Sequence, residues 1–200
     1  MPKIRSERVG RFYHYYPGVP AVVTVQARGK NNALAVAWNF PLSFDPPLYG
    51  IAVSPRRFSH SLIRESREFT VNFLPLRQAE LISAIGGTSG LSANKFERFK
   101  IATESPLRIK APVLEEAYAS YECQVINEVR AGDHDLFIGL VVATHIAEGA
   151  FEENGTLKVS EVTPSLYLGS DTYLVVQKAQ VRRLDREVYA AEYGGLPSFQ

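Results

Sequence analysis

The feature that most constrains this chain is a succession of short segments rich in β-branched and aromatic residues, each closed off by Pro, Gly, Asn or Asp. Such punctuation is the signature of many short strands. The segments are Ala21 to Ala27, Ala33 to Trp38, Leu48 to Val53, Phe69 to Phe73, Tyr121 to Val129, Leu136 to Ile146 and Tyr173 to Val176. Arg28-Gly29-Lys30-Asn31-Asn32 predicts a hairpin turn between the first two, since Gly and Asn tolerate the positive φ of tight turns. Helical signals are few. Ser59 is placed to cap a short helix that turns Leu62 and Ile63 inward. Leu76 to Ile85 sets Leu81, Ile82 and Ile85 on one face before Gly86-Gly87, and Asn94 to Lys100 spaces Phe96 and Phe99 as i, i+3. Strands interrupted by two or three helices, without βαβ alternation, predict a mainly β fold: an antiparallel barrel with a few short helices inserted.

Composition sets the outer limits. The chain has 200 residues, 46% of them hydrophobic, and 22 Lys+Arg against 21 Asp+Glu. That describes one globular domain with enough apolar surface for its own core, and no basic excess for general nucleic-acid binding. Cys123 is the single cysteine, so no intrachain disulfide can form and a reducing compartment is the simpler expectation. Met1 to Arg8 is charged where a signal peptide needs an apolar run, and Leu136 to Ala143 is far short of a membrane span. A cytoplasmic protein with no membrane and no nucleic-acid partner is expected. The tail from Arg182 onward is more polar and reads either as an arm that wraps a neighbour or as a frayed end.

Much familiar chemistry is missing from the motif pattern. There is no G-x-G-x-x-G and no P-loop, so any nucleotide is held by other means. The histidines His14, His60, His134 and His145 are scattered without metal-ligand spacing, and Gly87-Thr88-Ser89-Gly90 lacks the spacing of a nucleophile elbow. What remains is a set of loops. Ser54-Pro55-Arg56-Arg57-Phe58-Ser59-His60-Ser61 joins a strand to a helix start and can present guanidiniums, hydroxyls and helix N–H groups to one anion; its plainer reading is a charged loop before a capped helix. Thr88 to Lys95 is a small-polar loop ending in a lysine, or simply a loop into a helix. Trp38 to Pro47, taken as a strand end running into an irregular segment, offers an apolar wall beside backbone amides, or a core tryptophan with a rigid edge. Ala131-Gly132-Asp133-His134-Asp135 is a turn between two long strands, and Tyr13-His14-Tyr15-Tyr16-Pro17 an aromatic cluster whose plain reading is a packed edge.

Taken in order and at their spacings, these blocks resemble the flavin reductase-like family from about Tyr13 to Tyr173. They are the Tyr13 to Val23 segment, Ala37-Trp38-Asn39 to Pro46-Pro47, Ser54 to His60, Ser89-Gly90 with Lys95, and Gly132 to Phe137. The nearest group is the small reductase components of two-component monooxygenases, styrene monooxygenase reductases among them. The resemblance implies the FMN-binding split-barrel fold in a single domain over 1–200, with a core of about 12–176 and a C-terminal extension over 177–200. It further implies a homodimer binding FMN or FAD near the subunit interface, NADH or NADPH as hydride donor, and a monooxygenase component as recipient of reduced flavin.

On matching positions, Trp38, Asn39, Leu42 and Ser43 would border the isoalloxazine. Ser54, Arg57, Ser59, Ser89, Gly90 and Lys95 would hold the phosphate end, and His134 would face the nicotinamide as the catalytic residue. No metal ligand is implied. Two positions depart from the family pattern: Ser59 stands where threonine is common, and Pro41 where several relatives carry a small polar residue. A flavin-binding electron carrier or flavin store without efficient NAD(P)H turnover is the alternative that the same fold supports.

Overall fold

The computed structural model describes residues 1–10 and 12–176; the predicted C-terminal extension, 177–200, lies outside the described residues. Strands β1 (Ala21–Ala27), β2 (Lys30–Val36), β3 (Asn39–Phe44) and β4 (Pro47–Val53) precede helix α1 (Phe58–Ser66) and strand β5 (Glu68–Phe73). A short 3-10 turn (Leu76–Gln78) leads into α2 (Ala79–Gly87), followed by α3 (Lys95–Arg98), β6 (Thr103–Glu104) and β7 (Val113–Leu114). The long strands β8 (Ala119–Ala131) and β9 (His134–Ile146) and the hairpin β10 (Leu166–Gly169) with β11 (Thr172–Leu174) complete the order.

Seven strands form one antiparallel sheet in the order β2-β1-β5-β8-β9-β4-β3. The first hairpin is tighter than the Arg28 to Asn32 turn predicted. Arg28 and Gly29 alone turn the chain, both with positive φ, as a two-residue turn matching the strand twist requires, and Asn31 and Asn32 belong to β2. The edge strands β2 and β3 follow one another through Ala37 and Trp38, and the Ala52 N–H donates to the Trp38 carbonyl at 2.9 Å, extending the β3–β4 ladder. The result is a split antiparallel barrel, mainly β, as expected.

Two cores explain why β1 is apolar almost throughout. Val23 and Val25 face the barrel interior with Ile51, Ile63, Phe69 and Phe137, while Val22 faces outward onto Ile82 and Ile85 of α2. Leu62 and Ile63 turn inward as predicted, and Phe96 and Phe99 pack on the outer core. Two expectations need correcting. Ser59 does not cap α1: Arg57 holds the cap position without a side-chain bond, and the Ser59 hydroxyl is engaged inside the protein. The segment after Trp38 is not irregular but an edge strand, β3, with a register shift between Pro41 and Ser43. An edge tolerates proline because its outward N–H groups have no ladder partner to lose.

Candidate functional site

The site lies where β2 gives way to β3, beside the end of β4 and the start of α1. Two cavities meet there. One, of about 430 Å³, is walled by Phe12, Tyr13, Tyr15, Trp38 and Phe40 and is largely apolar. The other, of about 210 Å³, is bounded by Trp38, Ser54, Arg57 and His134. Both are lined by Ala37, Trp38 and Ala52, so they flank one shared wall: an aromatic side, and a side with a cation, a hydroxyl and an imidazole.

Trp38 is the hinge between them. Its ring lies 4.8 Å from that of His134 and 6.3 Å from that of Tyr13, between centroids. Asn39, expected to border the ring of a ligand, uses its side chain on the scaffold. It donates to the Val36 carbonyl at 2.9 Å and the Val19 carbonyl at 3.2 Å, and accepts from the Tyr49 hydroxyl at 2.6 Å. Leu42 and Ser43 lie further along β3. Leu42 is exposed and lies over Gly50 on β4.

At the polar end, the α1 start is shaped by the Arg57 N–H donating to the Ser54 carbonyl at 2.9 Å, while the Ser54 Oγ accepts from the Arg56 N–H at 3.4 Å. The first N–H groups of a helix have no intrahelical acceptor and carry partial positive charge, which suits an anion. Buried Ser59 accepts from the Asn32 amide at 2.7 Å and keeps its own hydroxyl hydrogen. The Ser89–Gly90 loop closes over these groups so tightly that a Cβ at Gly90 would stand 2.5 Å from the Phe58 ring. Ser89 itself is exposed, and its hydroxyl accepts from the Leu91 N–H at 3.2 Å, holding the loop's turn.

Lys95 is buried and donates to the Ala33 carbonyl at 2.7 Å and the Ile85 carbonyl at 2.8 Å, leaving one ammonium hydrogen uncommitted. Burial, reinforced by the charge of Arg57, pulls its pKa down to about 8. His134 stands at the start of β9 with its Nδ1 2.8 Å from the Asp133 carboxylate. That contact lowers the Asp133 pKa. The fold therefore gathers Ser54, Arg57, Ser59, Gly90 and Lys95 about the start of α1, and sets Trp38 and His134 beside them.

Sequence reasoning missed Asn32, which read as a turn residue, and the wall formed by Tyr13 and Tyr15, whose plain reading was a packed edge. It also missed a buried constellation behind the groove. His60 Nε2 lies 2.7 Å from Asp135 Oδ2, and one ligand-type atom each of His60, Glu128 and Asp135 lie within 4.8 Å of one another. Arginines balance these carboxylates: Arg64 pairs with Glu128, and Arg130 reaches Asp135 at 3.3 Å. Burial would raise the Asp135 pKa, but the His60 hydrogen bond and the charges of Arg130, His60 and Arg64 hold it below the usual range.

The split antiparallel barrel, with an aromatic and a cationic cavity side by side, is the architecture of split-barrel flavin-binding proteins. The chain belongs to the flavin reductase like domain family, which it matches over residues 12–173. It is 37% identical to an FMN-binding protein from Thermus thermophilus, solved with bound 1-cyclohex-2-enone; the two superpose with a TM-score of 0.78 over 91% of this chain and 100% of that one. An uncharacterized protein of Archaeoglobus fulgidus is 34% identical over 151 residues, 75% of this chain and 84% of its own. The reductase component of the 4-nitrophenol 4-monooxygenase/4-nitrocatechol 2-monooxygenase of Rhodococcus opacus is 29% identical over 136 residues, 68% of this chain and 69% of its own.

Proposed function

We propose that this protein is an NAD(P)H-dependent flavin reductase that binds FMN, or FAD through the same phosphate, in the groove on either side of Trp38. The observation that carries the reading is the adjacency of the two cavities: an aromatic wall for a flat ring and a cationic end for a phosphate share Ala37, Trp38 and Ala52. The donor set fits the group. Arg57, the uncommitted hydrogen of Lys95, the Ser59 hydroxyl and the first N–H groups of α1 are all donors, and no carboxylate competes among the residues lining that end.

A bound flavin supplies the redox chemistry, accepting hydride from the nicotinamide. The chain's own residues orient and tune. Tyr13 and Trp38 provide apolar faces for stacking. Asn39, tied to Val36, Val19 and Tyr49, fixes the backbone at the β2–β3 junction. His134, backed by Asp133, presents an imidazole to the nicotinamide side, where a hydrogen bond at the carboxamide would set the approach distance. No nucleophile and no metal ligand has a part in this reaction.

A homodimer with the flavin near its interface is part of the proposal. The edge strand β3 beside the groove exposes Phe40, Leu42 and Phe44, the last fully, and a second copy of the chain would cover such an apolar edge. The likeness to the Rhodococcus reductase component supports supply of reduced flavin to a monooxygenase as the cellular role, in the cytoplasm. One flavin reductase-like domain over 1–200 completes the assignment.

Titration of the purified protein with FMN and riboflavin, followed by steady-state NADH and NADPH oxidation, tests the reading. Saturable pyridine-nucleotide oxidation that requires flavin is expected. His134→Ala should slow it or raise the nicotinamide KM with flavin binding kept. Tight flavin binding with negligible oxidation would instead identify an electron carrier or flavin store.

A further inference from the structure

The two halves of the site are carried by different elements, α1 for the phosphate end and β9 for His134, and they are joined by the buried contact between His60 and Asp135. His60 directly follows Ser59 in the first turn of α1. Asp135 directly follows His134 and pairs with Val53 at the end of β4. Both side chains are about 95% buried, and their atoms lie 2.7 Å apart. The carboxylate is held from two sides, Oδ2 by His60 and Oδ1 by Arg130 at 3.3 Å, so it cannot turn away without stranding a buried polar group. Phe137 packs on the His60 ring, 5.2 Å between centroids, and closes the remaining space. Further out, Arg64 on α1 pairs with Glu128 on β8 and lies 3.9 Å from Asp135, and Arg67 stands 4.0 Å from Glu128.

We propose that His60 and Asp135 are positioning residues: a buried brace that makes the first turn of α1 and the start of β9 move as one, so that an anion at Arg57 and Ser59 sets the position of His134. The brace rests on the reductase reading for its purpose but not for its existence. Neither residue is itself among those lining the two cavities. Their influence passes through their chain neighbours, Ser59 on one side and His134 on the other. A divalent cation at the same three side chains would have to displace Arg64 and Arg130 from both carboxylates, whereas a brace keeps every partner in place.

The test uses the full chain and two readouts. In the first, inorganic phosphate is titrated into flavin-free protein while the imidazole signals of His134 are followed by NMR. The signals should move in the parent protein, stay still in Arg57→Ala, and lose at least about half their movement in Asp135→Asn, whose partner contact is weakened. His60→Gln, which retains a donor for Asp135, should keep most of the movement, and His60→Leu, similar in bulk, should lose it. This pair decides the matter if Asp135→Asn does not fold.

In the second, hydride transfer to FMN-loaded protein is measured in a double-mutant cycle. His134→Ala should cost about tenfold in the parent but less than about threefold once Asp135→Asn is present, since coupled residues are non-additive. Full His134 movement with phosphate in folded Asp135→Asn or His60→Leu, or additive losses in the cycle, would overturn the brace. Absence of NAD(P)H oxidation in the parent would overturn the reductase reading alone, because the NMR readout needs no turnover.

Discussion

At the scale of single residues, the two cations proposed to hold the phosphate behave differently. Arg57 is exposed at the cap of α1 and brings a planar guanidinium that suits a phosphate. Arg57→Ala should weaken FMN about tenfold or more while leaving riboflavin, which has no phosphate, nearly unchanged. Equal affinity of the variant and the parent for FMN would remove Arg57 from the site. Lys95 is buried against two carbonyls, and its pKa of about 8 sets a sign. Unfolded lysine titrates at about 10.4, so between these values the unfolded chain binds more protons and the flavin-free protein gains stability as pH rises. A phosphate beside Lys95 favours the ammonium. FMN binding near pH 8 should therefore take up a proton, and FMN affinity should fall as pH rises further, with riboflavin affinity flat by comparison. Calorimetry in buffers of different ionisation enthalpy measures that proton; zero uptake would place Lys95 away from the phosphate.

At the scale of elements, legibility in the sequence followed the range of the interactions. β1 and its hairpin were readable because Ala21 to Ala27 is apolar but for Thr24 and Gln26 and Gly29 marks the turn. The buried faces of α1 and α2 were readable from spacing alone. β3 was not, because Pro41 and Ser43 disguise a strand that needs only one partner. Ser59 read as a cap because capping is local, whereas its actual partner, Asn32, is brought in from the β1–β2 hairpin. The contact between His60 and Asp135 joins residues 75 apart in the chain, and no spacing rule reveals such a pair. The loops that form the candidate site were legible as a set through their order, although Asn39 turned out to have its amide engaged by the scaffold. Gly139 is a further element-scale constraint, where β9 crosses β8 over Phe69. A Cβ there would lie 2.7 Å from the Cys123 Cβ and 2.8 Å from the Phe69 ring, and neither can yield easily. Gly139→Ala should cost about 1–3 kcal/mol through overpacking and lower the thermal midpoint by several degrees. A midpoint unchanged in a thermal melt would show that the crossing is looser than this packing implies.

At the scale of the whole molecule, the split of the barrel is what makes a site. The sheet's two edge strands, β2 and β3, follow one another through Ala37 and Trp38, and the cavities open at that junction, flanked by an exposed apolar edge on β3. Near-neutral net charge fits the proposed design, in which Arg57 and Lys95 would serve one small phosphate and need no basic surface. We propose that flavin held beside Trp38 accepts hydride from a nicotinamide presented at His134. Anaerobic rapid mixing of FMN-loaded protein with NADH or NADPH, following the oxidised-flavin absorption band, tests it most directly. The band should bleach in a single fast phase whose rate saturates with nicotinamide concentration and falls in His134→Ala. A band that persists in fully loaded protein, or that bleaches at the rate of free FMN, would contradict the account.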